Sequence, residues 1–415
     1  MAATLSTSAL ADYHWLVSPA AEPYLASAAA EADPFARATR LRADLTPERA
    51  RLVAEQVALR ERGLKKFPDA RRLFFTPVGL EQATDGWTAQ YKAERFRAAG
   101  RVIDFCCGIG GDLMALAAIA PAHGVDRDPL AALFAEANCR VVAAGVLDRD
   151  RRAAVAVSVG EVGDTPLAAN DFWHIDPDRR SAGRRTTHVE LNDPPADAID
   201  RLLSTASAGA VKLAPASELP ERWREQAELE WISSARECRQ LVAWFGPLAR
   251  HPGRRRATMV PRGGASDLAA APASIVGLPD VEHPIAAAVG RYVFDPDPAV
   301  VAARLVGSMA AELGLAALVA GGAYLTADPP IAHPLLTTLS VSEVMPWDVR
   351  RLKRLLRDRG IGRLEVKQRG TRHDPAAVQR ELKVPGDAAA TLVLFRRGKS
   401  VVAILAERAG RAPMS

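Results

Sequence analysis

Residues 100–126 read Gly100-Arg-Val-Ile-Asp-Phe-Cys-Cys-Gly-Ile-Gly-Gly-Asp-Leu-Met-Ala-Leu-Ala-Ala118 and then, past Ile119-Ala-Pro121, Ala122-His-Gly-Val-Asp126. The apolar run Val102–Phe105 predicts a short buried strand, and the glycines a tight turn. Leu113, Leu116, Ala117 and Ala120 fall on one helix face. Gly124-Val125-Asp126 closes a second strand. A glycine turn between strand and helix lets backbone approach a ligand, and an acid ending the next strand can bind ribose hydroxyls. The stretch therefore predicts a site for a nucleoside cofactor. The dinucleotide fingerprint Gly-x-Gly-x-x-Gly needs a third glycine, and Leu113 stands in that place. Asp104, four residues before Gly108, suits a cationic ligand and would repel a pyrophosphate.

The series Asp104-x-x-x-Gly108-x-Gly110-Gly111 followed by Asp126 resembles the first two motifs of class I S-adenosylmethionine-dependent methyltransferases. That resemblance implies an α/β, Rossmann-like doubly wound sheet. It also implies that Asp104, Gly108, Gly110 and Gly111 hold the methionine part of S-adenosyl-L-methionine and that Asp126 holds its ribose. In the family an acid after the third strand contacts the adenine, a role that falls to Glu161, behind the expected strand Val155–Val159, with Asp164 as the competing choice.

Composition sets the frame around this core. A chain of 415 residues has room for about two to three domains. With 48% hydrophobic and 25% charged residues it reads as globular. Cys106, Cys107, Cys139 and Cys238 form no Cys-x-x-Cys pair and no disulfide framework, which fits a reducing cytoplasm. No signal peptide and no membrane span is expected, because the most apolar uncharged run, Leu313–Leu325, is too short to cross a bilayer. No metal is expected either, since the eight histidines lack ligand spacing. The net charge of +5 permits nucleic-acid binding without requiring it.

Residues 1–70 read as a helical N-terminal domain, with Leu41, Leu45, Leu52, Val53, Val57 and Leu59 on roughly helical spacing. Residues 71–290 make up the expected methyltransferase domain. Near its start, Thr76, Gln82 and Thr84 resemble the segment that closes over the cofactor in RNA-directed relatives, although Thr84 also fits a helix cap. Pro129–Arg140 predicts a helix.

Phe172-Trp-His-Ile-Asp-Pro-Asp-Arg-Arg180 is the second informative stretch. Phe172–Ile175 predicts a strand whose only polar residue is His174, and Asp176-Pro177 ends it at the ligand edge of an α/β sheet. Asp176 can accept a hydrogen bond from an amine and aim its lone pair at a sulfonium methyl, and the Pro177 carbonyl points the same way. The pair lies fifty residues after Asp126, where the resemblance places the fourth methyltransferase motif. Enzymes that methylate exocyclic base nitrogens follow this Asp-Pro with a proline and an aromatic. Here Asp178 and Arg179 occupy those places, and Arg179 or Arg180 can stack on a base or fork a phosphate.

The Asp-Pro-x-Arg form also resembles C5-uracil methyltransferases, which require a cysteine after the fifth strand. That strand is Ala210–Pro215, and no cysteine follows it before Cys238. Lys212 within it can face the substrate or pair with Asp176. Leu229–Ser233 and Leu241–Phe245 are expected as closing antiparallel strands, and residues 250–275 as a hairpin turn and a loose link.

Residues 291–415 form the last expected domain. It has a helix over Ala299–Leu315, a short strand near Tyr324, a helix over Trp347–Arg359, and strands over Arg363–Lys367, Ala390–Phe395 and Val401–Leu405. Between Asp348 and Arg372 ten Lys or Arg face three acids. A helix with Val349, Leu352, Leu355 and Leu356 inward turns Arg350, Arg354 and Arg357 outward. Together with Gly360-Ile-Gly-Arg-Leu-Glu-Val-Lys-Gln-Arg-Gly370, this helix resembles the C-terminal THUMP-like domain of bacterial methyltransferases, and THUMP domains are RNA-binding modules. The resemblance as a whole implies a cytoplasmic methyltransferase of structured RNA, similar in its catalytic part to the RNA cap guanine family. It implies Asp176 and Pro177 as the catalytic pair, and Arg179, Arg180, Lys212, Arg350, Arg354 and Arg357 as substrate contacts. A small-molecule methyltransferase, or an RNA-binding protein with a relict cofactor pocket, would share these motifs.

Overall fold

The structure, a computed structural model, describes residues 7–145, 155–178, 180–181, 184–263 and 271–409. The chain forms two compact units. The first holds Met1–Leu229, Gln240–Gly253 and Val260–Ala270, and the second holds Glu230–Arg239, Arg254–Met259 and Ala271–Ser415.

The first unit opens with α1 (Thr7–Leu16), α2 (Glu22–Ala30), α3 (Pro34–Asp44) and α4 (Pro47–Gly63). The Asp33 carboxylate accepts from the amides of Phe35 and Ala36, and the Thr46 hydroxyl from that of Arg49. A proline follows each cap where no amide is needed. α5 (Pro77–Gln82) and α6 (Gly86–Ala93) lead into β1 (Val102–Phe105), α7 (Leu113–Ala117), β2 (Ala122–Asp126), α8 (Pro129–Gly145), β3 (Val155–Val159) and β4 (Phe172–Ile175). The ribbon β5 (Arg180–Ser181) and β6 (Arg184–Arg185) precedes α9 (Ala196–Thr205), β7 (Gly209–Leu213), α10 (Glu221–Gln226), β8 (Glu228–Ser234) and β9 (Glu237–Trp244).

Within this unit the strand order is β9-β7-β4-β1-β2-β3. β7, β4, β1, β2 and β3 run parallel, while β9 is antiparallel to β7. This is the expected doubly wound sheet. β1 has β2 on one side and β4 on the other, so the order reverses there and a crevice opens beyond the carboxyl ends of β1 and β4. The N-terminal helices share an apolar core with the sheet's own helix α8, through Leu16, Leu25, Val53, Phe74, Phe75 and Phe134. Two buried amides anchor the segment before α5. Gln56 pairs with the Phe75 backbone at 2.5 and 3.0 Å, and Asn138 with that of Phe74 at 2.7 and 3.0 Å.

The second unit contains most of β10 (Arg255–Val260), β11 (Ala273–Gly277), β12 (Tyr292–Pro296), α11 (Pro298–Ala302), α12 (Val306–Leu313), β13 (Ala316–Ala317) and β14 (Leu325–Ala327). β15 (Leu336–Pro346), α13 (Val349–Asp358), β16 (Ile361–Arg369), α14 (Pro375–Glu381), β17 (Ala388–Arg397) and β18 (Ser400–Arg408) complete it. Its seven-stranded sheet has the order β13-β14-β12-β15-β18-β17-β16, and β16 and β17 pair parallel. Successive β17 side chains serve opposite faces. Leu392 and Leu394 meet Leu352 and Leu356 of α13, while Val393 and Phe395 meet Tyr324 and Leu339.

Three sequence expectations change. Residues 250–275 contain the paired strands β10 and β11 rather than a turn and link. Burial of the arginine stems masks that pattern: the Arg255 guanidinium lies 5.2 Å from the Trp231 ring and donates to the Ala303 carbonyl at 3.1 Å. The single helix over Ala299–Leu315 is two, α11 and α12, broken where Arg304 takes φ 59°. The long strand β15, central to its sheet, was not anticipated.

Candidate active site

Asp104 lies on β1 and is 1% exposed. Its Oδ1 sits 2.7 Å from Nδ1 of His174 on the neighbouring β4, while its Oδ2 has no hydrogen-bond partner. Burial pushes the Asp104 carboxyl up, and His174 works against that. The turn after β1 is built for close approach. Gly110 has φ +86°, and a Cβ there would stand 3.2 Å from Cα of Ala135; a Cβ on Gly111 would stand 3.2 Å from the Thr84 amide. Asp126 at the end of β2 fastens this turn, its Oδ2 accepting from the Gly108 amide at 2.8 Å and its Oδ1 from that of Asp128 at 2.9 Å. Each carboxylate oxygen keeps a lone pair for another donor.

Beneath the turn lies a network of buried charges. Lys92 of α6 is 2% exposed and Asp112, just before α7, is 8% exposed. Lys92 Nζ stands 2.7 Å from Asp112 Oδ1 and 3.4 Å from His174 Nε2. The Thr84 hydroxyl donates to Asp112 Oδ2 at 2.6 Å. Burial alone would raise the Asp112 carboxyl, but Lys92, His174 and Lys212 outweigh it and hold the group well below the usual carboxylate range. Burial drives the Lys92 ammonium the other way, downward. Lys212 of β7 reaches 2.5 Å from Oδ2 of Asp176, and 3.9 Å from Asp112 Oδ2. Asp176 itself stands at the end of β4, its amide donating to the Phe105 carbonyl at 3.3 Å.

The fold thus brings together Asp104, Gly108, Gly110, Gly111, Asp126, Asp176 and Lys212, with Thr84 joined through Asp112. Pro177 follows as a buried residue. Thr76 is the N-cap of α5, its hydroxyl accepting from the Gly79 amide at 2.9 Å. Gln82, at the end of that helix, and Glu161, past β3, are exposed. Arg179 lies outside the described residues, as does the side chain of Arg180. Lys92, Asp112 and His174 were not singled out by sequence. The available signal for His174 was a lone polar residue in an otherwise apolar strand.

In the second unit Arg350, Arg354 and Arg357 are exposed along one face of α13 and have no carboxylate partner among the described residues. Leu352 and Leu356 are buried on the other face. A cleft of about 690 Å³, bordered by Gly321, Tyr324, Arg369, Phe395 and Arg396, lies in the same unit. Among the described residues no group of His, Cys, Asp and Glu could hold a metal ion, and no helix is long and apolar enough to cross a membrane.

A doubly wound sheet with a glycine turn, a buried acid on β1 and a second acid ending β2 defines an α/β enzyme that uses a nucleoside cofactor. Comparison with known proteins makes the class specific. An uncharacterized S-adenosylmethionine-dependent methyltransferase of Mycobacterium tuberculosis, from strain CDC 1551 / Oshkosh and from strain H37Rv, is 32% identical over 372 residues, covering 85% of this chain and 94% of the relative. The chain belongs to the S-adenosylmethionine-dependent methyltransferases. Residues 336–408 match the family model described as THUMP domain-like. The crystal structure of a candidate methyltransferase from Porphyromonas gingivalis W83 shares the fold, with a TM-score of 0.76 at 20% identity over 98% of this chain and 99% of that one.

Proposed function

We propose that this enzyme transfers the methyl group of S-adenosylmethionine to a base nitrogen of structured RNA, such as a tRNA or rRNA. The observation that carries the RNA reading is the face of α13 with Arg350, Arg354 and Arg357 unpaired, inside the stretch that matches the THUMP-like family. Unpaired guanidinium groups along one helix face can neutralise successive phosphates.

The residues of the first unit fit the cofactor. A buried carboxylate oxygen without a partner, Asp104 Oδ2, is costly unless a donor or cation reaches it. The methionine part of the cofactor supplies both, and the sulfonium supplies the transferable methyl. The turn Gly108–Gly111 leaves backbone space beside it, and Asp126 retains acceptor capacity for ribose hydroxyls. Thr76, Gln82 and Thr84 close this site and Glu161 reaches the adenine in the same reading. Asp176 accepts a hydrogen bond from the acceptor nitrogen and turns its lone pair toward the methyl carbon, with the Pro177 carbonyl as the second acceptor. Lys212, 2.5 Å away, fixes the Asp176 carboxylate; Arg179 and Arg180 are placed next in sequence to meet the base or its phosphate.

A covalent C5 route is disfavoured. Cys238 is on β9, and burial pushes its thiol up to about 12, whereas a nucleophile of this kind needs the thiolate. The test is transfer of labelled methyl from S-adenosylmethionine to total RNA, together with RNA binding. Combined Arg350→Glu, Arg354→Glu and Arg357→Glu should weaken RNA binding and flatten its log–log salt dependence by about 2, at roughly 0.7 to 0.9 per lost phosphate contact. S-adenosylmethionine binding should not change. Transfer to a small acceptor alone would favour a small-molecule enzyme, and RNA binding without transfer a relict pocket. Unaltered RNA affinity and salt slope in the triple variant would remove α13 from the interface.

A further inference from the structure

The charged network under the glycine turn, buried apart from the half-buried Asp176, has an unbalanced charge count. Three carboxylates, Asp104, Asp112 and Asp176, stand against two ammonium groups, Lys92 and Lys212, and the imidazole of His174. With the imidazole neutral the set carries one excess negative charge, and the carboxylate oxygen reached by neither a hydrogen bond nor an ion pair is Asp104 Oδ2, since Asp112 Oδ1 has Lys92 at 2.7 Å. All six groups lie within a chain of contacts of 3.9 Å or less. At such separations in a desolvated site a change of one unit charge is strongly felt by its neighbours.

We propose that His174 is a charge-compensating residue: neutral while the cationic methyl donor occupies the site, it binds one proton when the neutral thioether product replaces that donor. This rests on the cofactor reading above and extends it to a residue with no part in binding. The acceptor nitrogen forms the new bond to the methyl carbon, the carbon–sulfur bond breaks with its pair on sulfur, and the nitrogen's proton leaves through Asp176 toward solvent. The site has then lost the sulfonium charge, and a proton on His174 restores it; that proton departs when a new donor binds.

The groups facing His174 from the surrounding elements decide whether this can occur. Asp104 on β1, 2.7 Å from Nδ1, and Asp112 before α7, 3.9 Å from Nε2, favour the imidazolium. Lys92 on α6, 3.4 Å from Nε2, opposes it. Lys212 on β7 and Asp176 at the end of β4 form a mutual ion pair beyond Asp112. In the neutral state Nε2 can accept from Lys92. On protonation it becomes a donor toward Asp112 Oδ2, leaving Lys92 to Asp112 Oδ1.

The sign follows by linkage. Affinity for S-adenosylhomocysteine relative to S-adenosylmethionine should rise as pH falls, by up to about tenfold per pH unit for one extra proton bound. Calorimetry of the full-length protein with each compound, in buffers of different ionisation enthalpy, counts the protons taken up. Wild type should take up more with S-adenosylhomocysteine than with S-adenosylmethionine, the excess approaching one. His174→Gln should lose that excess, and the variant also cancels titration of the ligands' own amines. If neither compound binds, the cofactor reading fails. If both bind and the proton difference is the same in wild type and His174→Gln, the role of His174 is overturned while the cofactor reading stands. Should His174→Gln not fold, imidazole nitrogen shifts of wild type decide: a protonated ring with S-adenosylhomocysteine and a neutral ring with S-adenosylmethionine is expected, and one state with both compounds refutes it.

Discussion

Asp104 and Asp112 are two buried carboxylates flanking the same turn with opposite electrostatics. Asp104 is raised by burial and meets only an imidazole, whereas the cations around Asp112 outweigh its burial. The contrast separates ligand binding from folding. Asp104→Asn should leave the protein folded and weaken S-adenosylmethionine binding roughly 10- to 100-fold, the cost of one charge-assisted contact of about 1.5–3 kcal/mol; unaltered affinity in calorimetry would remove Asp104 from the cofactor site. Asp112→Asn should cost about 3–5 kcal/mol of stability at neutral pH, because Lys92 would be left buried without its partner. The folded-state pKa of Asp112 is depressed, so its stabilisation is present above the ordinary carboxylate range and is lost as pH falls through the depressed value. The gap between the denaturant midpoints of wild type and Asp112→Asn should therefore begin to narrow as pH falls below about 4 and close only toward the depressed value, and a gap that stays constant would contradict the assignment. The parts of this site legible in sequence were local: an acid and its glycine turn within eight residues of each other, and an acid closing a strand. Lys92 and His174 were not legible as partners, since 82 residues separate them and only the pairing of β1 with β4 brings His174 to Asp104.

Among the elements, the start of β8, which lies in the first unit, shows how that unit is braced. Its Glu228 is fully buried and takes two hydrogen bonds from Arg95, at 3.0 and 3.1 Å, and further ones from the amides of Arg250 and His251. The Arg95 guanidinium lies 4.4 Å from the ring centre of Trp244, which is fully buried. Arg95→Met leaves that carboxylate buried and half-satisfied, so it should cost about 3–5 kcal/mol in chemical denaturation; a loss below about 1 kcal/mol would mean that the backbone donors suffice. On β9, Cys238→Ser should retain methyl transfer, and loss of activity with a trapped covalent RNA adduct in wild type would instead establish the C5 route. The parallel strands and α13 were readable because their apolar runs and helical spacing are unbroken. β15 was not, because its register shifts between Val341 and Glu343, which disrupts the period of two. The break between α11 and α12 has no proline or glycine to mark it, only the positive φ of Arg304.

At the scale of the whole molecule, one unit carries the methyltransferase sheet and the other the THUMP-like stretch. That a methyltransferase sheet comes before a THUMP-like stretch was visible from the motifs. The division into units was harder to read, because the chain passes between them more than once, with Glu230–Arg239 and Arg254–Met259 belonging to the second unit. Local patterns carry no information about such long-range partition. The assignment of the two units to one task, placing a methyl on RNA, is the central claim. It is tested most directly by mass spectrometry of nucleosides from tRNA and rRNA of cells lacking this protein beside their parent, with the wild-type chain or its Asp176→Ala variant restored. The account predicts that one N-methylated nucleoside disappears on deletion, returns with wild type and stays absent with Asp176→Ala. Identical nucleoside profiles in all four strains would contradict it.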